Sequence, residues 1–336
     1  MIRVLLAAAC LVLFAANLQA GGLDDLKAAD AAMENGKADE AIRLFAQALA
    51  ASDLSPADQI TARKGRAGAF TALSLRADAF GKRDEARSLR ERAVVDLTAG
   101  LAIKADDDSL YVERGLSYHM SGQYDFAIAD FDAALKLKNT GTTLVQRAAS
   151  QRAKGDYDRA VADFTAVISL DSKESGLDNW DIYNERGYAQ FLAARFDSAA
   201  ADFEKAWTLG SAARTGDVLW LPYQLAWLHV ARARAGQNDT EELTRNAGAI
   251  DLKQWPGTLV AYFLGQLTVD QVSPPSSHGA MGHGRACNLA FFFGEQALVK
   301  KDSTEASRQF QSARDVCNVH TLQYLAAGVE LKRLGQ

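Results

Sequence analysis

Small and aromatic apolar residues recur along this chain at fixed spacing, with polar residues between them. The clearest run sets Tyr111, Gly115 and Tyr118 on one stretch, then Gly122 and Tyr124, then Ala127, Phe131 and Ala134. The next register holds Ala148, Gly155, Tyr157, Ala160, Phe164 and Val167. The one after it holds Gly187, Phe196, Ala199, Phe203 and Ala206. Gly36, Ala41, Phe45 and Ala48 fit upstream, and Gly294, Ala306, Phe310 and Ala313 fit downstream. The spacing predicts two helices per unit, with small residues where the helices cross closely and a phenylalanine filling the gap. One such unit cannot bury its apolar face alone. Neighbours must stack, which predicts an all-α, right-handed solenoid of antiparallel helix pairs.

Two further pairs are degenerate. Pro56–Leu75 and Asp84–Ile103 read as an extended pair, with Ala93, Leu97 and Gly100 in the small-large-small slots. Asp217–Ala235 and Asn238–Ile250 read as another, rich in large side chains: Trp220, Tyr223 and Trp227. The period breaks between Trp255 and Ala286, where the run 273–284 of Pro, Ser, His and Gly has loop chemistry. Beyond it, Cys287–Lys300 and Ser303–Cys317 make the last pair, and His320–Leu334 is a C-terminal capping helix. The expected organisation is an array over 21–254, a Trp-Pro-Gly segment and flexible loop over 255–285, and the last repeat and cap over 286–336. The order aromatic, small, aromatic, turn glycine, then Ala, Phe and Ala resembles the tetratricopeptide repeat.

Composition agrees. Only 5 prolines interrupt 336 residues dominated by strong helix formers. A formal net charge of −5 gives no long-range pull toward nucleic acid or anionic lipid. Residues 1–20 differ from the rest: Arg3 is their one charge, an apolar run spans 4–16, and Ala20 precedes Gly21 and Gly22. This is the pattern of a cleaved secretory signal peptide, and it places the mature chain in the periplasm. The competing reading is an outer-membrane lipoprotein lipidated at Cys10; against it, the apolar run continues past Cys10 with no polar tether.

Export would leave Cys287 and Cys317, and thiols in an oxidising compartment pair. One begins the first helix of the last pair and the other ends the second, so an antiparallel hairpin brings them together; the alternative is two buried free thiols. Arg114, Arg147 and Arg186 precede Asp130, Asp163 and Asp202 at one constant interval, which reads as a repeated tie between helices rather than a ligand row. His278 and His283 flank glycines without metal-ligand spacing and read as solvated loop residues, and His119 and His229 fall within first helices. No serine-hydrolase elbow, zinc-protease, phosphate-loop or dinucleotide motif is present, so no reaction, cofactor or metal is implied. What remains is a surface for binding proteins. First-helix positions expected to line a concave peptide groove are Val112, Leu116 and His119; Val145, Ala149 and Arg152; and Asn184, Tyr188 and Phe191.

The C-terminal third carries a more specific likeness. Trp255, Pro256 and Gly257 running to Gly265, then Phe293 and Gly294, then Ala306, Phe310 and Ala313, then Asn318 and His320, and finally Leu334, Gly335 and Gln336, resemble the NlpI family of tetratricopeptide envelope lipoproteins. The resemblance implies a homodimeric, non-catalytic adaptor that brings murein hydrolases and a processing protease together. This chain departs from that family in lacking a convincing lipidation site, which argues against membrane anchoring, and in carrying the 273–284 loop and the cysteine pair.

Overall fold

A computed structural model describes residues 21–170, 179–213, 220–272, 280–319 and 321–336. Residues 1–20, read as a signal peptide and containing Cys10, and His278 and His320 lie outside these residues. Among them every regular element is a helix, and the chain divides into two compact units, 21–106 and 107–336.

The first unit contains α1 (Gly22–Glu34), α2 (Ala38–Ala50), α3 (Pro56–Ala79) and α4 (Arg83–Ile103). Helix α3 starts at a capping box: Asp58 N–H donates to Ser55 Oγ at 3.2 Å, Ser55 N–H donates back to Asp58 Oδ2 at 3.3 Å, and Pro56 takes the first turn. Ala41, Phe45 and Ala48 are fully buried. Phe45 reaches Gly65 of α3, where a Cβ would fall 2.2 Å from the ring. Arg66 grips Asp96 through two hydrogen bonds of 2.7 and 2.5 Å, joining α3 to α4.

The second unit opens with three regular pairs: α5 (Asp108–Met120) and α6 (Tyr124–Leu137), α7 (Gly141–Lys154) and α8 (Tyr157–Ser169), α9 (Asn179–Leu192) and α10 (Phe196–Ala213). The small-large-small sets Ala127/Phe131/Ala134, Ala160/Phe164/Val167 and Ala199/Phe203/Ala206 all show 0% exposure. In the first and third pairs the phenylalanine lies against a glycine of its own first helix. A Cβ at Gly115 would sit 2.8 Å from Phe131, and one at Gly187 2.7 Å from Phe203. Glycine is required there by close approach, not by backbone conformation.

The expected charge row proves structural. Arg114, Arg147 and Arg186 each donate Nε and Nη2 to the two oxygens of Asp130, Asp163 and Asp202 at 2.7–2.8 Å. Arg147 Nη1 also reaches Asp132 of the preceding pair at 2.6 Å, and Arg186 Nη1 reaches Thr165 at 3.0 Å. At these two positions one fork closes a helix pair and also ties it to its neighbour.

Beyond α10 come α11 (Leu221–Arg234), α12 (Thr240–Ala247), α13 (Gly257–Phe263), α14 (Val269–Val272), α15 (Ala280–Val299), α16 (Ser303–Val316) and α17 (Leu322–Arg333). Among its described residues the segment 255–285, read as a Trp-Pro-Gly stretch and loop, carries two short helices, and α15 begins at Ala280; 273–279, the larger part of the loop run, lie outside the described residues. Gly282 and Gly284 signal a break in sequence, but each weakens a helix by only about 1 kcal/mol. Packing of the same helix through the fully buried Phe291 and Phe292 outweighs that. Cys287 and Cys317 are joined in a disulfide, which staples α15 to α16, the first of the two alternatives for this pair.

Candidate functional site

First helices α5, α7 and α9 carry the nine residues assigned to the inner face, and the structure sorts them by what covers them. Val112, Leu116 and Val145 are half-buried. His119, Ala149 and Arg152 meet Thr321, Leu322, Tyr324 and Leu325, at the start of α17, around a cavity of about 190 Å³. Asn184 and Tyr188 line a larger cavity of about 530 Å³. Phe191 is a correction: only 1% exposed, it turns its ring edge to Phe196 at 5.1 Å and Trp227 at 5.2 Å inside the core. Positions i, i+4 and i+7 share a helix face in all three repeats. What differs at α9 is that residues of α10 and α11 press against that face, which the repeat pattern alone does not encode.

The capping helix is the larger surprise. Instead of merely ending the stack, α17 lies on the inner face. Ala326, Ala327 and Leu331 join the core formed by α9, α10, α11, α15 and α16, and Tyr157, Tyr188 and Tyr324 pack at its edge. A buried ionic cluster latches it. Arg234 of α11 bonds both Glu295 of α15 and Glu330 of α17, while Arg333 bonds Glu330 and the Leu192 carbonyl at the end of α9. Glu295 is wholly buried beside Glu330, and desolvation with that repulsion pushes its carboxyl up to about 8.

Electrostatics along the inner face are local. Arg152 donates to Glu185 at 2.6 Å across α7 and α9 and stands 5.9 Å over the Tyr188 ring. His119 Nδ1 pairs with Ser150 Oγ at 2.8 Å, and His229 pairs with Asp239 at 3.0 Å and Gln296 at 3.1 Å, so both histidines serve packing. Burial raises the Tyr124, Tyr188 and Tyr223 hydroxyls above their ordinary value, leaving them neutral donors. The Trp-Pro-Gly segment packs here too: Trp255 Nε1 donates to Tyr223 at 3.1 Å, and Arg285 lies 4.8 Å over the Trp255 ring.

Sequence reasoning missed the residues that give the larger cavity its character. Trp180 and Trp220 stack at 4.2 Å, and Gln224, Asn288 and Gln323 come from three different helices. The one available signal was the cluster Trp220, Tyr223 and Trp227 at helical spacing.

Residues 142–174, spanning α7, α8 and the stretch after them, match the family profile of the tetratricopeptide repeat. The match covers a single repeat unit. Across the chain the arrangement is similar to a tetratricopeptide repeat protein from Parabacteroides merdae, 13% identical, over 94% of this chain and 99% of that one at a TM-score of 0.53. It is also similar to the apo form of the quorum sensor NprR from B. thuringiensis, 12% identical, over 88% of this chain and 87% of that one at a TM-score of 0.55. At these identities the likeness is one of fold. Compared by sequence with curated proteins, the chain has no match. Tetratricopeptide repeats are protein-interaction modules, and no enzymatic family is indicated.

Proposed function

We propose that this chain is an exported, non-catalytic scaffold that holds segments of other cell-envelope proteins on the inner face of its second unit. The observation that carries the proposal is the state of that face. Val112, Leu116 and Val145 stay partly exposed on successive first helices, while the phenylalanines of the same pairs are fully buried. The adjoining part of the same face already holds a helix, α17, through apolar contacts and an ionic latch. A surface that accepts one helix in cis has the width and chemistry to accept another in trans. Export is supported by the pattern of residues 1–20 and by the disulfide, since thiols pair stably outside the reducing cytoplasm. Murein hydrolases and a processing protease, implied by the NlpI resemblance, are the partners to test first.

The test is affinity capture by residues 21–336 from periplasmic extract, alongside a variant carrying Leu116→Glu and Val145→Glu. Hydrolases or a protease recovered by the wild type and lost from the variant support the adaptor reading. Recovery of secretion or assembly components alone assigns the face to a different machine, and identical recovery by both proteins moves binding elsewhere.

A further inference from the structure

Trp180, Tyr188, Trp220, Tyr223 and Trp227 wall the cavity of about 530 Å³, a size ordinary for small-ligand sites. Four carboxamides complete its lining: Asn184, Gln224, Asn288 and Gln323. Two of these are satisfied, because Gln323 donates to Asn288 Oδ1 at 2.9 Å and Asn288 donates to the Gly284 carbonyl at 2.8 Å. The other two are not. Asn184 is 6% exposed and Gln224 3%, yet Asn184 Oδ1 and both Gln224 Oε1 and Nε2 have no hydrogen-bond partner among the described residues. A buried amide left unpaired destabilises a fold. Two on one cavity wall therefore point to a ligand that supplies both donors and acceptors.

Charge and shape narrow its class. Among the described residues no lysine, arginine or histidine lines the cavity, so an anionic ligand finds no counter-ion there. Of the carboxylates at its edge, Glu185 is already held by Arg152 at 2.6 Å. Leu322 lines both this cavity and the 190 Å³ one beside His119 and Arg152, and so stands between them. An extended peptide threaded through this cavity would have to displace α17, whereas a compact ligand fits once the Asn184 and Gln224 amides turn toward it. Aromatic faces carry negative π density that attracts C–H-rich ring faces, and carboxamides pair with neighbouring hydroxyls through one donor and one acceptor.

We infer that this cavity binds a short neutral saccharide, with its ring faces against the tryptophan and tyrosine walls and its hydroxyls on Asn184 and Gln224. The site is separate from Val112, Leu116 and Val145 and goes beyond the protein-holding role: the scaffold would grip a glycan and a protein at once.

The experiment is titration of residues 21–336 with a panel of neutral trisaccharides built from glucose, N-acetylglucosamine, mannose or galactose, followed by tryptophan fluorescence and calorimetry. Sulfated trisaccharides and end-capped peptides serve as comparators. At least one neutral saccharide should bind and quench the fluorescence. Asn184→Leu and Gln224→Leu should each weaken it tenfold or more while melting no lower than the wild type, because they remove unpaired buried amides. Leu116→Glu should leave saccharide affinity unchanged. Absence of binding across the neutral panel, preference for a sulfated sugar or a peptide, or unaltered affinity in both leucine variants would overturn the inference. Partner capture that survives in the leucine variants would show that the protein-holding reading stands or falls separately.

Discussion

Replacing both Cys287 and Cys317 by alanine opens a covalent loop that spans α15 and α16, the two cysteines being 30 apart in sequence. On the chain-entropy account, closing a loop of that length stabilises the folded state by about 3–4 kcal/mol. The neighbourhood makes the loss readable: Phe291, Phe292 and Phe310 are fully buried in the same cluster, and the Trp227 ring lies 5.0 Å from Phe291. Urea unfolding followed by tryptophan fluorescence should place the midpoint of oxidised wild type about 1–2 M above that of the double alanine variant, for a slope of about 2–3 kcal/mol per molar. Reduced wild type should superpose on the variant, which isolates the cross-link from any loss of sulfur packing. Equal midpoints for oxidised and reduced wild type, or two titratable thiols in the native protein, would refute both the bridge and the stabilisation assigned to it.

Three other perturbations test the packing. Ala194 and Lys301 occupy the turn between paired helices at φ of +59° and +63°, where Gly122 and Gly155 stand in the earlier repeats. Ala194→Gly and Lys301→Gly should each raise stability by about 0.5–1 kcal/mol, read as a higher melting temperature. Gly187→Val drives a side chain into Phe203 and should destabilise by about 1–3 kcal/mol, with Phe203→Leu recovering part of it in a double-mutant cycle; strict additivity would deny the contact. Glu295, raised to about 8 in the folded protein against an ordinary 4.5, holds a proton there that the unfolded chain has already released at neutral pH. Its contribution is complete below pH 4.5 and is lost as pH rises through about 8, at up to about 1.4 kcal/mol per pH unit. Glu295→Gln should flatten that stretch of the stability–pH curve, and an unchanged slope would place the proton elsewhere.

The helices and their contacts were legible because one small-large-small rule is repeated. Ala127, Phe131 and Ala134 announce a crossing, and Gly115 on the preceding helix announces its partner. The Arg–Asp forks followed from the same antiparallel geometry, which also placed the two cysteines near enough to pair without deciding between a bridge and free thiols. The site was less legible, since a repeat pattern states which face of a helix points inward and not what later arrives to cover it. Phe191 obeys the spacing of Tyr188 and Asn184, yet Phe196 and Trp227 close over it. His320–Leu334 reads as a cap because it is a terminal helix with an apolar stripe. That its stripe lies on the inner face, held by Glu330 and Arg333, depends on Arg234 and Glu295, which sit on two other helices far from Glu330 in sequence. Trp180 and Trp220 likewise come from separate pairs and meet only in three dimensions.

The most direct test of the scaffold account is site-specific photocrosslinking in the cells that make the protein. A photoreactive residue at position 116, on the inner face of α5, is compared with one at position 126, where Phe126 is 61% exposed on α6. Position 116 should yield a discrete crosslinked envelope partner and position 126 should not. Equal yields from both positions, or a partner caught only from 126, would contradict the claim that the inner face of the second unit holds other proteins.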